Sequence, residues 1–256
     1  MSKHTSGRFI WHELMTSDPK RAISFYGELF AWKAQEIDMG PAGKYTMLKA
    51  GDKDVGGMMQ LDGKSGAPPH WLQYVTTPDV DDATKRAEKL GARVLVPGTD
   101  IPNVGRFSLI ADPQGAHISP FRSTTEAPES ADPPKAGTFC WDELLTKDAG
   151  AAVKFYESVF GWTHDEMEMG PMGTYYVLKR GDKPAGGIMK AQDPNQPPAW
   201  LSYIAVDDVD ASTKRAESLK AKVLMSAADI PNIGRFSVVA DPLGAVFALF
   251  KDLPKK

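Results

Sequence analysis

The chain contains a second copy of itself. FIWHELMTSD, Phe9 to Asp18, returns as FCWDELLTKD, Phe139 to Asp148. Phe25-Tyr26, Phe30, Trp32, Gly43 and Gly56-Gly57 reappear as Phe155-Tyr156, Phe160, Trp162, Gly173 and Gly186-Gly187. After a one-residue slip, PPHWLQY (Pro68 to Tyr74) becomes PPAWLSY (Pro197 to Tyr203), and DIPNVGRFS (Asp100 to Ser108) becomes DIPNIGRFS (Asp229 to Ser237). The repeat is a whole domain, far beyond the ~20–50 residues of a solenoid unit. Whatever one half folds into, the other must fold into as well, and almost every position has an internal comparison.

Each half alternates patterns of period two and period 3.6. In Arg8 to Met15, Phe9, Trp11, Glu13 and Met15 share one face of a strand, and Ile10, His12 and Leu14 share the other. Asp18 then caps a helix that Pro19 can open. Ala22, Tyr26, Leu29 and Phe30 line one side of it. Extended stretches follow at about 33–39 and 44–50, joined by a hairpin loop at Gly40-Pro41-Ala42-Gly43, and a fourth strand ends near Leu61.

A Gly/Pro connector, 62–69, leads to the same order again. A strand at Trp71 to Thr77 precedes a helix with Asp81 as its expected cap. Strands follow at Arg93 to Val96, Gly105 to Ala111 and Ala116 to Phe121, with a turn at Asp112-Pro113-Gln114-Gly115. The expected architecture is α+β, with four βαβββ modules in two tandem domains. The first domain spans residues 1–122, with modules at 7–62 and 70–122. A polar, Pro-rich linker covers 123–136. The second domain spans 137–253, with modules at 137–191 and 199–251.

These features together resemble the vicinal oxygen chelate superfamily of glyoxalase I, bleomycin-resistance proteins and extradiol dioxygenases. The carriers are the paired modules, the FYGELFAW and FYESVFGW helices, the VDDVDASTKRAE entry to the last helix, and the ADPQGA and ADPLGA turns. The resemblance implies curved sheets around a cavity and, in metal-dependent members, His and Glu ligands at matched strand positions. Carried over one at a time, those places fall at Trp11, Leu72 and Ser119, and at Trp141, Leu201 and Ala248. The remaining place falls at Met58 or Gln60, and at Ile188 or Lys190. Trp, Leu and Ala do not ligate a divalent ion, which needs several nitrogen or oxygen donors. No metal is therefore expected. A divalent zinc, nickel or iron ion is the alternative.

The histidines point the same way. His4, His12, His70, His117 and His164 all lack a histidine at the matching position, whereas Trp11, Trp32 and Trp71 match Trp141, Trp162 and Trp200. The duplicated feature is aromatic. That suits a small-molecule pocket lined by flat rings with a few polar groups, or a plain hydrophobic core. Glu13 and Glu143 share a strand face with Trp11 and Trp141. They are the candidate catalytic residues, with an ion pair to the repeat-matched Arg106 and Arg235 as the bland alternative. The candidate ligand-binding residues are Trp11, His70, Tyr74, Arg106, His117, Ser119, Trp141, Tyr203 and Arg235.

Composition bounds the rest. The net charge of -3 argues against a nucleic-acid footprint. No apolar run reaches the ~18 residues of a membrane helix, and no apolar leader opens the chain. A single cysteine, Cys140, forms no internal disulfide, which suits the cytoplasm. No P-loop, GxGxxG or GxSxG motif is present. The expected partner is a small, partly apolar or aromatic molecule, with the protein a monomer or homodimer. Two other readings stay open. One is a metal-dependent lyase, isomerase or dioxygenase using His70, His117 and Glu13. The other is an interaction or scaffold module with closed cavities.

Overall fold

The computed structural model describes residues 6–39, 43–63, 66–125 and 133–253. Each quarter of the chain runs strand, helix and three strands. The first module is β1 (Phe9–Thr16), α1 (Pro19–Phe30), β2 (Lys33–Asp38), β3 (Lys44–Ala50) and β4 (Lys53–Gln60). The second is β5 (His70–Thr76), α2 (Val80–Lys89), β6 (Arg93–Ile101), β7 (Gly105–Ala111) and β8 (His117–Ser123). The third is β9 (Phe139–Thr146), α3 (Ala149–Phe160), β10 (Thr163–Glu168), β11 (Thr174–Arg180) and β12 (Lys183–Lys190). The fourth is β13 (Ala199–Ala205), α4 (Val209–Ser218), β14 (Lys222–Ile230), β15 (Gly234–Ala240) and β16 (Val246–Asp252). The fold is α+β. One eight-stranded sheet has the order β2-β3-β4-β1-β5-β8-β7-β6, and the second repeats it as β10-β11-β12-β9-β13-β16-β15-β14.

Residues 126–132 of the expected linker, 64–65 of the connector, 40–42 of the hairpin loop and His4 lie outside the described residues. The matching loop of the third module is a 3-10 turn over Gly170–Met172. Strand β6 runs five residues past the expected end at Val96. Register shifts on either side of Val96 let Pro97 and Gly98 stay in the strand. No described helix is long and apolar enough to cross a membrane.

Helix starts are set by aspartates, but not by all of the expected ones. Asp18 and Asp148 accept the backbone N–H of Arg21 and Ala151. In the other two modules the caps are Asp79 and Asp208, with extended backbone and side chains accepting from Asp82 and Ala211. Asp81 and Asp210 are the second residues of their helices, two positions past the caps, and their carboxylates meet arginines. Among clustered aspartates, the cap is the one whose own backbone is still extended.

Two compact units divide the chain, and each draws on two modules. One unit takes Phe9–Ile10, the second module from Leu72 onward, and Trp141–Leu201, which is most of the third module and the start of β13. Its core joins Val75, Ile110 and Ile118 to Leu144, Tyr156, Phe160, Trp162 and Trp200. The other unit takes Trp11–Trp71, which is most of the first module and the start of β5, with Phe139–Cys140 and the chain from Ser202. Its core joins Leu14, Tyr26, Trp32, Met58 and Trp71 to Ile204, Val239, Phe247 and Leu249.

A buried hydrogen-bond relay ties each pair of modules. In the unit of modules one and four, Trp71 Nε1 donates to Tyr26 Oη at 3.1 Å, and Tyr26 Oη donates to Asp241 Oδ2 at 3.0 Å. Asp241 Oδ1 accepts the backbone N–H groups of Leu243, Gly244 and Ala245. In the unit of modules two and three, Trp200 donates to Tyr156 and Tyr156 to Asp112, both at 3.0 Å. Asp112 Oδ1 accepts from Gln114, Gly115 and Ala116. A turn aspartate thus holds its own turn with one oxygen and a helix of another module with the other. Burial, then the charge of Asp241, pushes the Tyr26 hydroxyl well above its ordinary range. Tyr156 behaves likewise beside Asp112.

Candidate functional site

Glycine pairs clear the space for the most unusual polar cluster. In β4, Gly57 lies in register with Glu13 of the parallel strand β1 and with Met47 of β3. A Cβ on Gly57 would overlap the hydroxyl of Tyr45. Only a glycine lets the Tyr45 ring lie across the sheet at this point. The ring does so because both ends of its hydroxyl are engaged. Trp11 Nε1 donates to Tyr45 Oη at 2.9 Å, and the hydroxyl is hydrogen-bonded to Glu13. An indole N–H only donates and a carboxylate only accepts, so the protons run Trp11 to Tyr45 to Glu13.

The third module repeats the arrangement. Trp141 Nε1 donates to Tyr175 Oη at 2.8 Å, and Tyr175 is hydrogen-bonded to Glu143. Gly187, in register with Glu143, would overlap Tyr175 if it carried a Cβ. Burial, then the adjacent carboxylate, raises the pKa of both tyrosines well above the usual phenol range. Neither therefore releases its proton near neutral pH. Glu13 and Glu143 are almost fully buried, while Trp11 and Trp141 keep part of their surface exposed.

Tyr45 and Tyr175 are absent from the candidates chosen by sequence. The signal was present, because Lys44-Tyr45 and Thr174-Tyr175 occupy equivalent places after Gly43 and Gly173. Nothing in the local pattern says that a tyrosine on β3 reaches back to β1. That contact depends on the side-chain gap at Gly57.

The other candidates divide. Tyr74 lies in register with Ser119 and packs between Phe107 and Phe121, with ring centroids 6.1 and 5.9 Å away. Tyr203 has the matching place beside Phe236 and Phe250, in register with Ala248. Ser119 is fully buried, and its hydroxyl donates to the Ser108 carbonyl at 2.7 Å. His70 Nδ1 lies 2.8 Å from the Pro68 carbonyl. His117 opens β8 opposite Ala111.

Arg106 and Arg235 are held by aspartates, so the ion pairs weighed for Glu13 and Glu143 give way to others. Arg106 bonds Asp81 and Asp100, and Arg235 bonds Asp210 and Asp229, at 2.7–3.1 Å. The arginines hold the Asp81 and Asp210 carboxyls below their usual range. This is what the aspartates at the second helical position do. Among the described residues, no group of three or more His, Cys, Asp or Glu side chains could hold a metal ion. His70, His117 and Glu13 do not form such a group. A recess of about 350 Å³ lies away from the relay, lined by Lys147, Lys190, Ala191, Gln192, Asp193 and Pro194. Its two lysines have Ser17 and Gln60 as first-module counterparts, so it is not a duplicated feature.

Comparison with known proteins gives a consistent frame. The model of the Glyoxalase/Bleomycin resistance protein/Dioxygenase superfamily matches residues 4–119 and 139–249. A protein of Mycobacterium tuberculosis (strain CDC 1551 / Oshkosh) named "Putative glyoxylase CFP32" is 36% identical over 258 residues, covering 100% of this chain and 98% of the relative. The anthracycline biosynthesis protein DnrV of Streptomyces peucetius is 31% identical over 264 residues, covering 97% and 94%. A Mn(II)-bound glyoxalase from Novosphingobium aromaticivorans shares the fold with a TM-score of 0.65 at 14% identity, covering 96% of this chain and 82% of that one. The 2,3-dioxygenase LapB from Pseudomonas sp. KL28 also gives 0.65, at 14% identity and 98% and 94% coverage.

Proposed function

The chain belongs to the glyoxalase/bleomycin resistance protein/dioxygenase superfamily, and from that premise we propose that it binds a small, partly apolar or aromatic molecule without a bound metal. The observation behind this reading is the duplicated Trp–Tyr–Glu relay. It stands where the resemblance puts the first-strand metal ligand.

The donor atoms at the family's ligand places do not fit a divalent ion. The Trp11 ring nitrogen carries a hydrogen and directs it at Tyr45. Leu72 has no donor atom, and the Ser119 hydroxyl is directed at a backbone carbonyl. Met58 and Ile188 are buried in the two cores. The relay instead offers an indole edge, a phenol and a carboxylate fixed by one another, which suits the orientation of a flat molecule. A relative named for anthracycline biosynthesis is in keeping with a small organic ligand.

Two measurements on the untagged full chain test this. Elemental analysis after dialysis against zinc, nickel and iron(II) is expected to find no stoichiometric ion. Thermal melts with a panel of aromatic compounds are expected to show stabilisation that grows with ligand concentration. Near-stoichiometric metal in the wild-type chain, lost in H70A/H117A, would replace this reading with metal-dependent lyase, isomerase or dioxygenase chemistry. No stabilisation by any compound would favour a module without a ligand.

A further inference from the structure

We infer that the recess at the ends of β9 and β12 binds the phosphate group of a small, non-aromatic phosphate monoester. It lies away from the relay, so this site stands apart from the aromatic ligand proposed above. Strands β9 and β12 run parallel, and Thr146 at the end of one is in register with Lys190 at the end of the other. Lys147 follows Thr146 directly. Two lysines therefore leave neighbouring strands at the same end, and both line the recess of about 350 Å³. Neither ammonium group has a hydrogen-bond or ion-pair partner among the described residues. The walls are fixed by other groups. Ala191 is buried, and its N–H donates to the Thr146 carbonyl at 2.8 Å. Gln192 Nε2 donates to the carbonyls of Met172 and Lys190 at 3.2 and 3.1 Å, which ties the segment after β12 to the Gly170–Met172 turn. Asp193 Oδ1 accepts the Asn195 N–H at 2.8 Å.

The fold does not need these lysines, and the first module shows why. It builds the same pair of strand ends, with Thr16 in register with Gln60 and the Leu61 N–H donating to the Thr16 carbonyl at 2.8 Å. Ser17 and Gln60 stand there in place of Lys147 and Lys190. The backbone is duplicated and the charge is not. Like charges on adjacent strands repel, and the recess sets two cations against the single carboxylate of Asp193. A phosphate monoester brings about −1.5 to −2 charges at neutral pH, enough to offset that surplus. The lysine ammonium is a compact point charge with three donors, which suits phosphate oxygens. The volume falls in the ~300–1,000 Å³ range of small-molecule sites, so the phosphate leaves room for an organic part. Asp193 keeps acceptor oxygen for a hydroxyl on that part.

The test uses the intact chain at neutral pH and constant ionic strength, with glycerol 3-phosphate, inorganic phosphate and acetate as probes. Binding is read by isothermal titration and by thermal melts. Glycerol 3-phosphate is expected to bind saturably, with stabilisation that grows with its concentration. Inorganic phosphate should bind more weakly, because it leaves part of the recess unfilled. Acetate, with one charge, should be weaker than the ester by roughly tenfold or more. K147S/K190Q gives the third module the residues with which the first already folds, and should lose roughly tenfold or more in affinity for the ester. K154Q removes a lysine of α3 that does not line the recess and should leave the affinity unchanged. Circular dichroism and melting curves establish that each variant is folded.

No saturable binding of either phosphate overturns the site and leaves the aromatic-binding reading intact. Full affinity in K147S/K190Q, or in both single variants should the double one fail to fold, places the binding elsewhere and overturns the assignment to the recess. An equal loss in K154Q shows general attraction to surface charge and overturns it as well. Acetate binding as tightly as the ester overturns the choice of a two-charge ligand. Inorganic phosphate binding as tightly as the ester overturns the organic part.

Discussion

The molecule uses one chemical sequence twice in different surroundings. Trp71–Tyr26–Asp241 and Trp11–Tyr45–Glu13 are both chains of indole N–H, phenol O–H and carboxylate, with donor distances of 3.1 and 2.9 Å at the indole. In the first, all three residues are buried, and the aspartate also holds three backbone N–H groups of its own turn. In the second, the tryptophan stays partly exposed, and the tyrosine depends on a glycine for room. The lesson is that a polar relay is not by itself a site. Closed off and saturated by backbone, it fastens a helix to a turn. Set beside a ring that keeps part of its surface exposed, it stays close to solvent.

Removing the buried carboxylate should show the largest effect. Asp241→Ala strips partners from three backbone amides and from Tyr26 at once. It is expected to lower stability by about 3–5 kcal/mol, measured by urea denaturation. Asp112→Ala should match it, because the two units are built alike. A loss below about 1 kcal/mol in both would mean that the relay does not fasten the modules.

Gly57→Ala probes the other relay. The new methyl overlaps the Tyr45 hydroxyl, which the ring can relieve by swinging away. We expect a loss of about 1–3 kcal/mol, together with a changed near-ultraviolet signal from Trp11. An unchanged spectrum would show that Tyr45 is not held as described.

The pH response separates the two carboxylates by sign. Burial, its largest influence, raises the Asp241 carboxyl above its ordinary 3.8. The folded state therefore binds this proton more readily than the unfolded one. The contribution of Asp241 to stability is greatest below pH 3.8 and falls as pH rises through the raised value. The stability of wild type minus that of Asp241→Asn should therefore decline with rising pH. Asp81 runs the other way. Arg106 lowers its carboxyl, so its stabilisation is present above 3.8 and fades as pH falls through the lowered value. Because Asp81 is well exposed, that term is the weaker of the two. Paired pH titrations of D241N and D81N check both slopes, and slopes of equal sign would break the contrast.

Tyr45→Phe should have the smallest effect on stability, at most about 1 kcal/mol, because the cluster borders on solvent. Tyr26→Phe is expected to exceed it. Equal losses would mean that the two relays are energetically the same and the distinction drawn between them is wrong.

Much of this was legible in the chain. The repeat fixed four equivalent modules, because a duplicated pattern of strand faces, caps and turns has one solution repeated. The alternation in FIWHELM placed Glu13 beside Trp11. The matched tryptophans, beside unmatched histidines, marked the indole rings as the feature that recurs. All of these are local or periodic properties, which a strand or helix expresses within a few residues.

Tertiary structure decided three things. It chose Asp79 and Asp208 over their neighbours as caps, leaving Asp81 and Asp210 to hold Arg106 and Arg235. It brought Tyr45 onto Glu13 through the gap at Gly57. It also joined Tyr26 to Asp241 and Tyr156 to Asp112, so that modules one and four share a core, as do modules two and three. The physical reason is the same in each case. A side chain's partner across a sheet or between modules depends on the space left by residues far away in sequence, and no local pattern carries that information.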